Sequence, residues 1–262
     1  MKLYKYMPWH PLSETNYAKL NLINNTLYFN CPDSFNDPFD TLPYVNSDHT
    51  YKEFLDYGTR AVMLTENLTY EKARRKAVHL FKTEQQFKNK NTIDFTAKEQ
   101  ISNLRKQMGV FCVTSNSPET ILMWAHYADN HQGICLEFDL YEGKLNTLPD
   151  EPLISPPMRV TYTDELPKYN IFKKDRVESY LNALTTKSKE WEKENEYRFI
   201  SRGQLGPIQY DPWQLKSIYA GCKMTAESFK ALQDTVRRMK IQPHLFRTTI
   251  KKDQFGLDIV KP

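Results

Sequence analysis

The stretch Gly109-Val110-Phe111-Cys112-Val113-Thr114 is apolar at nearly every position, so a strand built from it has no face to offer water. It predicts a strand at the centre of a sheet, and the rest of the chain reads outward from there. Downstream, Ser117 and Pro118 have N-cap and first-turn character. Ile121, Trp124, Ala125 and Ala128 recur at i, i+3, i+4 and i+7, the stripe of a helix that buries one side. Gly133-Ile134-Cys135-Leu136-Glu137-Phe138-Asp139 returns as a strand. Beyond Pro149, Pro152, Pro156 and Pro157, the pattern predicts strands over 158–162, 196–200, 217–220, 244–247 and 256–260. Helices are expected over 175–191 and 225–239. Upstream, 3–6 and 26–30 read as strands around a short helix over 13–22. Residues 50–107 read as a charged helical insertion opened by the capping-box pair Thr50 and Glu53. Strands and helices do not alternate regularly, which predicts an α+β fold. A mixed or antiparallel central sheet, with helices and the helical insertion, then forms a single domain over 1–262.

Composition bounds the function. With 262 residues and 40% hydrophobic side chains the chain can bury a sizeable core. Basic residues number 36 against 32 acidic, a net charge of +4, short of the footprint of a dedicated nucleic-acid binder. The run Lys72, Arg74, Arg75 and Lys76 reads as a solvated helix face. No apolar window is long enough to span a bilayer and the first residues lack a signal-peptide pattern, so a cytoplasmic protein without membrane partners is expected. Cys31, Cys112, Cys135 and Cys222 stand far apart without C-x-x-C spacing, which points to neither a metal site nor disulfides. Phosphate-loop, dinucleotide-fold and zinc-protease motifs are missing.

The stretch Trp191-Glu192-Lys193-Glu194-Asn195-Glu196-Tyr197-Arg198-Phe199-Ile200 carries most of the chemistry. If extended, it puts Glu194, Glu196 and Arg198 on one face, successive groups about 7 Å apart, with the arginine favouring an ionised Glu196. A carboxylate in a cleft can hold a ribose hydroxyl and stabilise an oxocarbenium-like transition state, the requirement for breaking an N-glycosidic bond. The competing reading is an exposed ladder of ion pairs. Trp124-Ala125-His126-Tyr127-Ala128-Asp129 is a second candidate, in which Tyr127 can stack on a flat ring and His126 can bond a phosphate, ribose or backbone carbonyl; plain structural packing is the competing reading for both. Asn36-Asp37-Pro38-Phe39-Asp40 can shape a rigid loop at a pocket rim or form a plain turn. Lys5, between Tyr4 and Tyr6 on the first strand, is the fourth.

Leu3-Tyr4-Lys5-Tyr6, Leu27-Tyr28-Phe29 with Ser34-Phe35-Asn36-Asp37-Pro38-Phe39-Asp40, Met123-Trp124-Ala125-His126-Tyr127-Ala128-Asp129 with Gly133, and Glu194-Asn195-Glu196-Tyr197-Arg198 together resemble the bacterial domain-of-unknown-function family numbered 2971. More distantly, the order of Lys5, Tyr127 and Asn195-Glu196-Tyr197 resembles ADP-ribosyltransferases of the diphtheria-toxin and poly-ADP-ribose polymerase type. That resemblance implies NAD as substrate. Lys5 would contact the adenosine ribose or a phosphate, Tyr6, Trp124, His126, Asn36 and Asp37 would complete the nucleotide site, and Tyr127 would stack on nicotinamide. Glu196, with Glu194 and Arg198, would promote bond cleavage. The expected function is ADP-ribosyl transfer to a macromolecule or NAD hydrolysis, as in a toxin or phage-defence effector. Its alternatives are a non-catalytic nucleotide- or peptide-binding sensor and a nucleic-acid-acting protein.

Overall fold

A computed structural model describes residues 1–11, 13, 16–84, 89–140, 145 and 154–262. Its elements begin with β1 (Lys2–Met7), α1 (Tyr17–Asn24), β2 (Thr26–Phe29) and β3 (Tyr44–Val45). The helices α2 (Tyr51–Glu66), α3 (Tyr70–Thr83) and α4 (Lys90–Lys106) follow. Next come β4 (Met108–Thr114), α5 (Ile121–Tyr127), β5 (Ile134–Asp139), β6 (Met158–Arg159), β7 (Thr161–Thr163) and β8 (Lys168–Tyr169). The chain ends with α6 (Arg176–Leu184), β9 (Thr186–Ser188), β10 (Glu196–Arg202), β11 (Gly206–Gln209), β12 (Leu215–Ala220), α7 (Ala226–Arg238), β13 (His244–Ile250) and β14 (Leu257–Val260). The architecture is α+β. Contacts gather into two compact units, the first Met1–Ser34, Gln107–Val160 and Glu190–Pro262, the second Phe35–Lys106 and Thr161–Lys189.

The first unit is built on an eight-stranded mixed sheet of order β14-β13-β12-β5-β1-β4-β10-β6. Only β12 and β13 run parallel, joined through α7; the other neighbours are antiparallel. As its apolar sequence requires, β4 sits inside the sheet, between β1 and β10. One face carries the main core, where Leu3, Phe111, Val113, Phe138, Phe199 and Ile218 pack with α1, α7 and the β2–β11 pair. On the opposite face α5 lays Met123 and Trp124 against Tyr4, Tyr6, Cys135 and Tyr219.

Within the second unit, α2, α3 and α4 are the helices expected over 50–107. Two parallel strand pairs, β3–β8 and β7–β9, complete it together with α6. Thr50 caps α2 with the reciprocal Glu53 bond that the sequence predicts.

Several boundaries differ from expectation. α1 starts only at Tyr17, capped by Asn16, whose side chain accepts from the Lys19 amide; Glu14 and Thr15 of the expected helix lie outside the described residues. Pro149 and Pro152 also lie outside them. α5 starts at Ile121 because Ser117 closes a turn instead, its carbonyl accepting from the Thr120 amide. The buried stripe moves to Met123, Trp124 and Ala128, leaving Ile121 exposed. The charged helix expected to reach residue 191 stops at Leu184, where Thr185 and Thr186 turn their hydroxyls onto helix carbonyls and β9 begins.

Candidate functional site

The period of two along β1 separates two of the candidate residues. Lys5 shares its face with Leu3, and its ammonium lies 5.2 Å from the centre of the Phe111 ring and donates to the Cys112 carbonyl at 2.9 Å. Tyr6 points to the other face, where its ring meets Trp124 edge-on at 5.2 Å and its hydroxyl donates to the Ser117 carbonyl at 2.6 Å. Trp124 is fully buried and donates its indole N–H to the Pro118 carbonyl at 2.7 Å. Both rings therefore hold the loop into α5. Lys5 is not brought to the same face as the other candidates.

Tyr127, half-buried in the last turn of α5, donates its hydroxyl to Oε1 of Glu194. The exposed His126 places its ring 6.2 Å from that of Trp191. Glu194 does not continue the strand, as the extended reading required. It ends a 3-10 turn, Lys189–Glu194, and Asn195 then takes a left-handed conformation with φ of 45° before β10 starts at Glu196. That kink is held from β4 and the loop after it. Asn116 donates to the Lys193 carbonyl at 2.7 Å and accepts from Asn195 at 2.9 Å, while the Thr114 hydroxyl donates to the Glu194 carbonyl. Alternation thus relates only Glu196 and Arg198. Arg198 is fully buried and forms a bidentate pair with Glu196, Nε to Oε1 at 2.8 Å and Nη2 to Oε2 at 3.0 Å.

Register joins Glu196 to groups that sequence reasoning missed. Ser217 pairs with Glu137, Glu137 with Tyr4, Tyr4 with Thr114 and Thr114 with Glu196, a buried polar row across five strands on one sheet face. Pairing partners share a face, so strand order alone assembles the row. At one end, Glu137 accepts from the Tyr219 hydroxyl and sits 2.7 Å from the Lys2 ammonium. Burial pushes the Glu137 carboxyl up, but hydrogen bonds from Lys2 and Tyr219 and the charge of Lys2 outweigh it and hold it below the usual carboxylate range. At the other end, burial first and the Glu196 charge second push the Cys112 thiol up. The alternating Glu137 within an apolar strand was the signal available beforehand.

A thiol–imidazole contact was not legible in the spacing either. Cys222 Sγ lies 3.8 Å from His131 Nδ1 across 91 residues. Burial raises the thiol and lowers the imidazole, so both partners favour their neutral forms. His131 belongs to a run of left-handed residues, Asp129, Asn130 and His131, that turns α5 back into β5. Gly133 closes this turn because a Cβ there would lie 2.3 Å from the Met7 carbonyl oxygen.

Asn36 and Asp37 belong to the second unit. Asp37 accepts from the Phe39 amide at 2.9 Å in an Asx turn, and Asn36 is exposed. Among the described residues, no three His, Cys, Asp or Glu are grouped to hold a metal ion. Nor is any described helix long and apolar enough to cross a membrane.

Residues 123–199 match the family model described as a protein of unknown function (DUF2971). The matched segment runs from the start of the α5 core contact through Tyr127, Glu194 and Glu196 into β10. No curated protein and no solved structure matches the chain.

Proposed function

We propose that the first unit is an ADP-ribosyltransferase-like module that takes NAD and cleaves its nicotinamide bond, with Glu194 as the working carboxylate. The observation that carries this reading is the Tyr127–Glu194 pair, joined across 67 residues beside the rings of His126 and Trp191. Bound NAD supplies a C–N glycosidic bond whose electrons leave with neutral nicotinamide while an acceptor oxygen, of water or a macromolecular hydroxyl, takes its place and releases its proton to solvent. The residues fit that ligand in kind. Glu194 is buried, and there its carboxylate can accept from a ribose hydroxyl and counter positive charge growing on the sugar. Tyr127 orients the Glu194 carboxylate, and the ring of exposed His126 offers a surface for a flat base. Lys193, exposed on the same 3-10 turn, can meet a phosphate.

Glu196 is assigned a structural role here, because each of its carboxylate oxygens meets the Arg198 guanidinium. The same observation favours a second reading, a nucleotide sensor without turnover. Incubation with NAD, following nicotinamide release and NAD binding together, separates the two. The enzyme reading predicts release that falls about 100-fold or more in Glu194→Gln, the scale of losing one preorganised electrostatic group. Binding without release by the wild type supports the sensor, and neither binding nor release removes both.

A further inference from the structure

We propose that the second unit binds a small apolar aromatic molecule, about the size of indole, in a cavity among its helices. The cavity has a volume of about 250 Å³ and is walled by α2, α3, α4 and the Ile171-Phe172 pair after β8. Small side chains form one wall. Gly58 and Ala61 stand one turn apart on α2, and Ala77 lines the same space from α3. Large rings form another wall, with Phe54 centred 5.0 Å from Phe81 and 5.6 Å from Phe172, and Tyr57 set edge-on to Phe172 at 5.2 Å.

The lining dictates the chemical class of the guest. It contains no Asp, Glu, Lys, Arg or His. Its Tyr57 hydroxyl exchanges hydrogen bonds with the Gln100 amide at 2.9 and 2.7 Å, and its Thr96 hydroxyl donates to the Thr92 carbonyl at 2.9 Å. Walls of this kind offer an ordered water few of the roughly two to four polar partners it needs, whereas an apolar guest needs none. Ring edges and faces favour an aromatic guest over an alkyl one. Size narrows the choice, since a void of about 150 Å³ takes benzene and drug-sized pockets begin near roughly 300 Å³. Two fused rings fit between those limits.

This inference does not depend on the NAD reading, because every lining residue belongs to the second unit. Its test is calorimetric titration of the full chain with indole, paired with thermal unfolding. Saturable binding at one site is expected, with a Tm rise of about 5 °C at roughly 100 times the dissociation constant. Ala61→Phe and, separately, Ala77→Leu fill the space and should abolish the indole heat while preserving helical circular dichroism. Tyr127→Phe, in the first unit, should bind indole as the wild type does. Methyl resonances of Ala61 and Ala77 should shift during the titration even if a filled variant does not fold. Absence of binding to the wild type, unchanged affinity in a folded filled variant, or resonance shifts confined to other residues would overturn the proposal.

Discussion

At Arg198 and Glu196 the question is whether an acid and a base serve chemistry or hold the fold. Both are buried, and the guanidinium engages the carboxylate through two bonds. Removing one partner strands the other charge in a low-dielectric interior, a loss of about 3–5 kcal/mol. Arg198→Met should therefore cost about 3 kcal/mol in urea unfolding, and a double-mutant cycle with Glu196→Gln should return a clear coupling energy. A cost below about 1 kcal/mol would deny the structural role. Glu137 gives a pH signature. Its folded-state pKa lies below the unfolded value, so its contribution is present above the ordinary carboxylate pKa, about 4.3, and is lost as pH falls through the folded value. Glu137→Gln should flatten the acid limb of the stability curve below about pH 4.3, measured by unfolding across pH. Part of this residue-scale picture was legible. The alternation Leu3-Tyr4-Lys5-Tyr6 already puts Lys5 with Leu3 and apart from Tyr6. The Tyr127–Glu194 bond was not, because it joins side chains across 67 positions and depends on a left-handed Asn195 that no local pattern announces.

Among the elements, those governed by local chemistry came through best. β4 is internal because none of its faces tolerates water, and α7 begins at Ala226, one residue after the expected start, capped by Thr225, whose side chain accepts from the Ser228 amide. The α2 start is equally local. Thr50 accepts from the Glu53 amide, while Glu53 accepts from the Thr50 amide and from Lys173. The Lys173 bond first, and the Thr50 bonds next, hold the Glu53 carboxyl down at about 2. Thr50→Ala should cost about 1 kcal/mol in thermal or urea unfolding, the usual loss of a helix cap. An unchanged stability would show that tertiary packing, not the cap, sets this helix start. Elements fixed by distant contacts read poorly. The 3-10 turn Lys189–Glu194 follows an apparently helical charged stretch, and its shape is set by Thr114 and Asn116 from another part of the chain.

Across the whole molecule, α+β character followed from the irregular alternation of strands and helices. Division into two units did not, because the second recruits Thr161–Lys189 from far beyond the helical segment. Each unit carries its own candidate chemistry: a polar sheet face with the Tyr127–Glu194 pair in the first, an apolar cavity in the second. The family-model match over 123–199 spans both Tyr127 and Glu194. The role of Glu194 is settled by a crystal structure of the protein soaked with NAD, in which a ribose hydroxyl is expected within hydrogen-bond distance of the Glu194 carboxylate, beside Tyr127. Nucleotide bound at another surface, or its absence at saturating concentration, would contradict it.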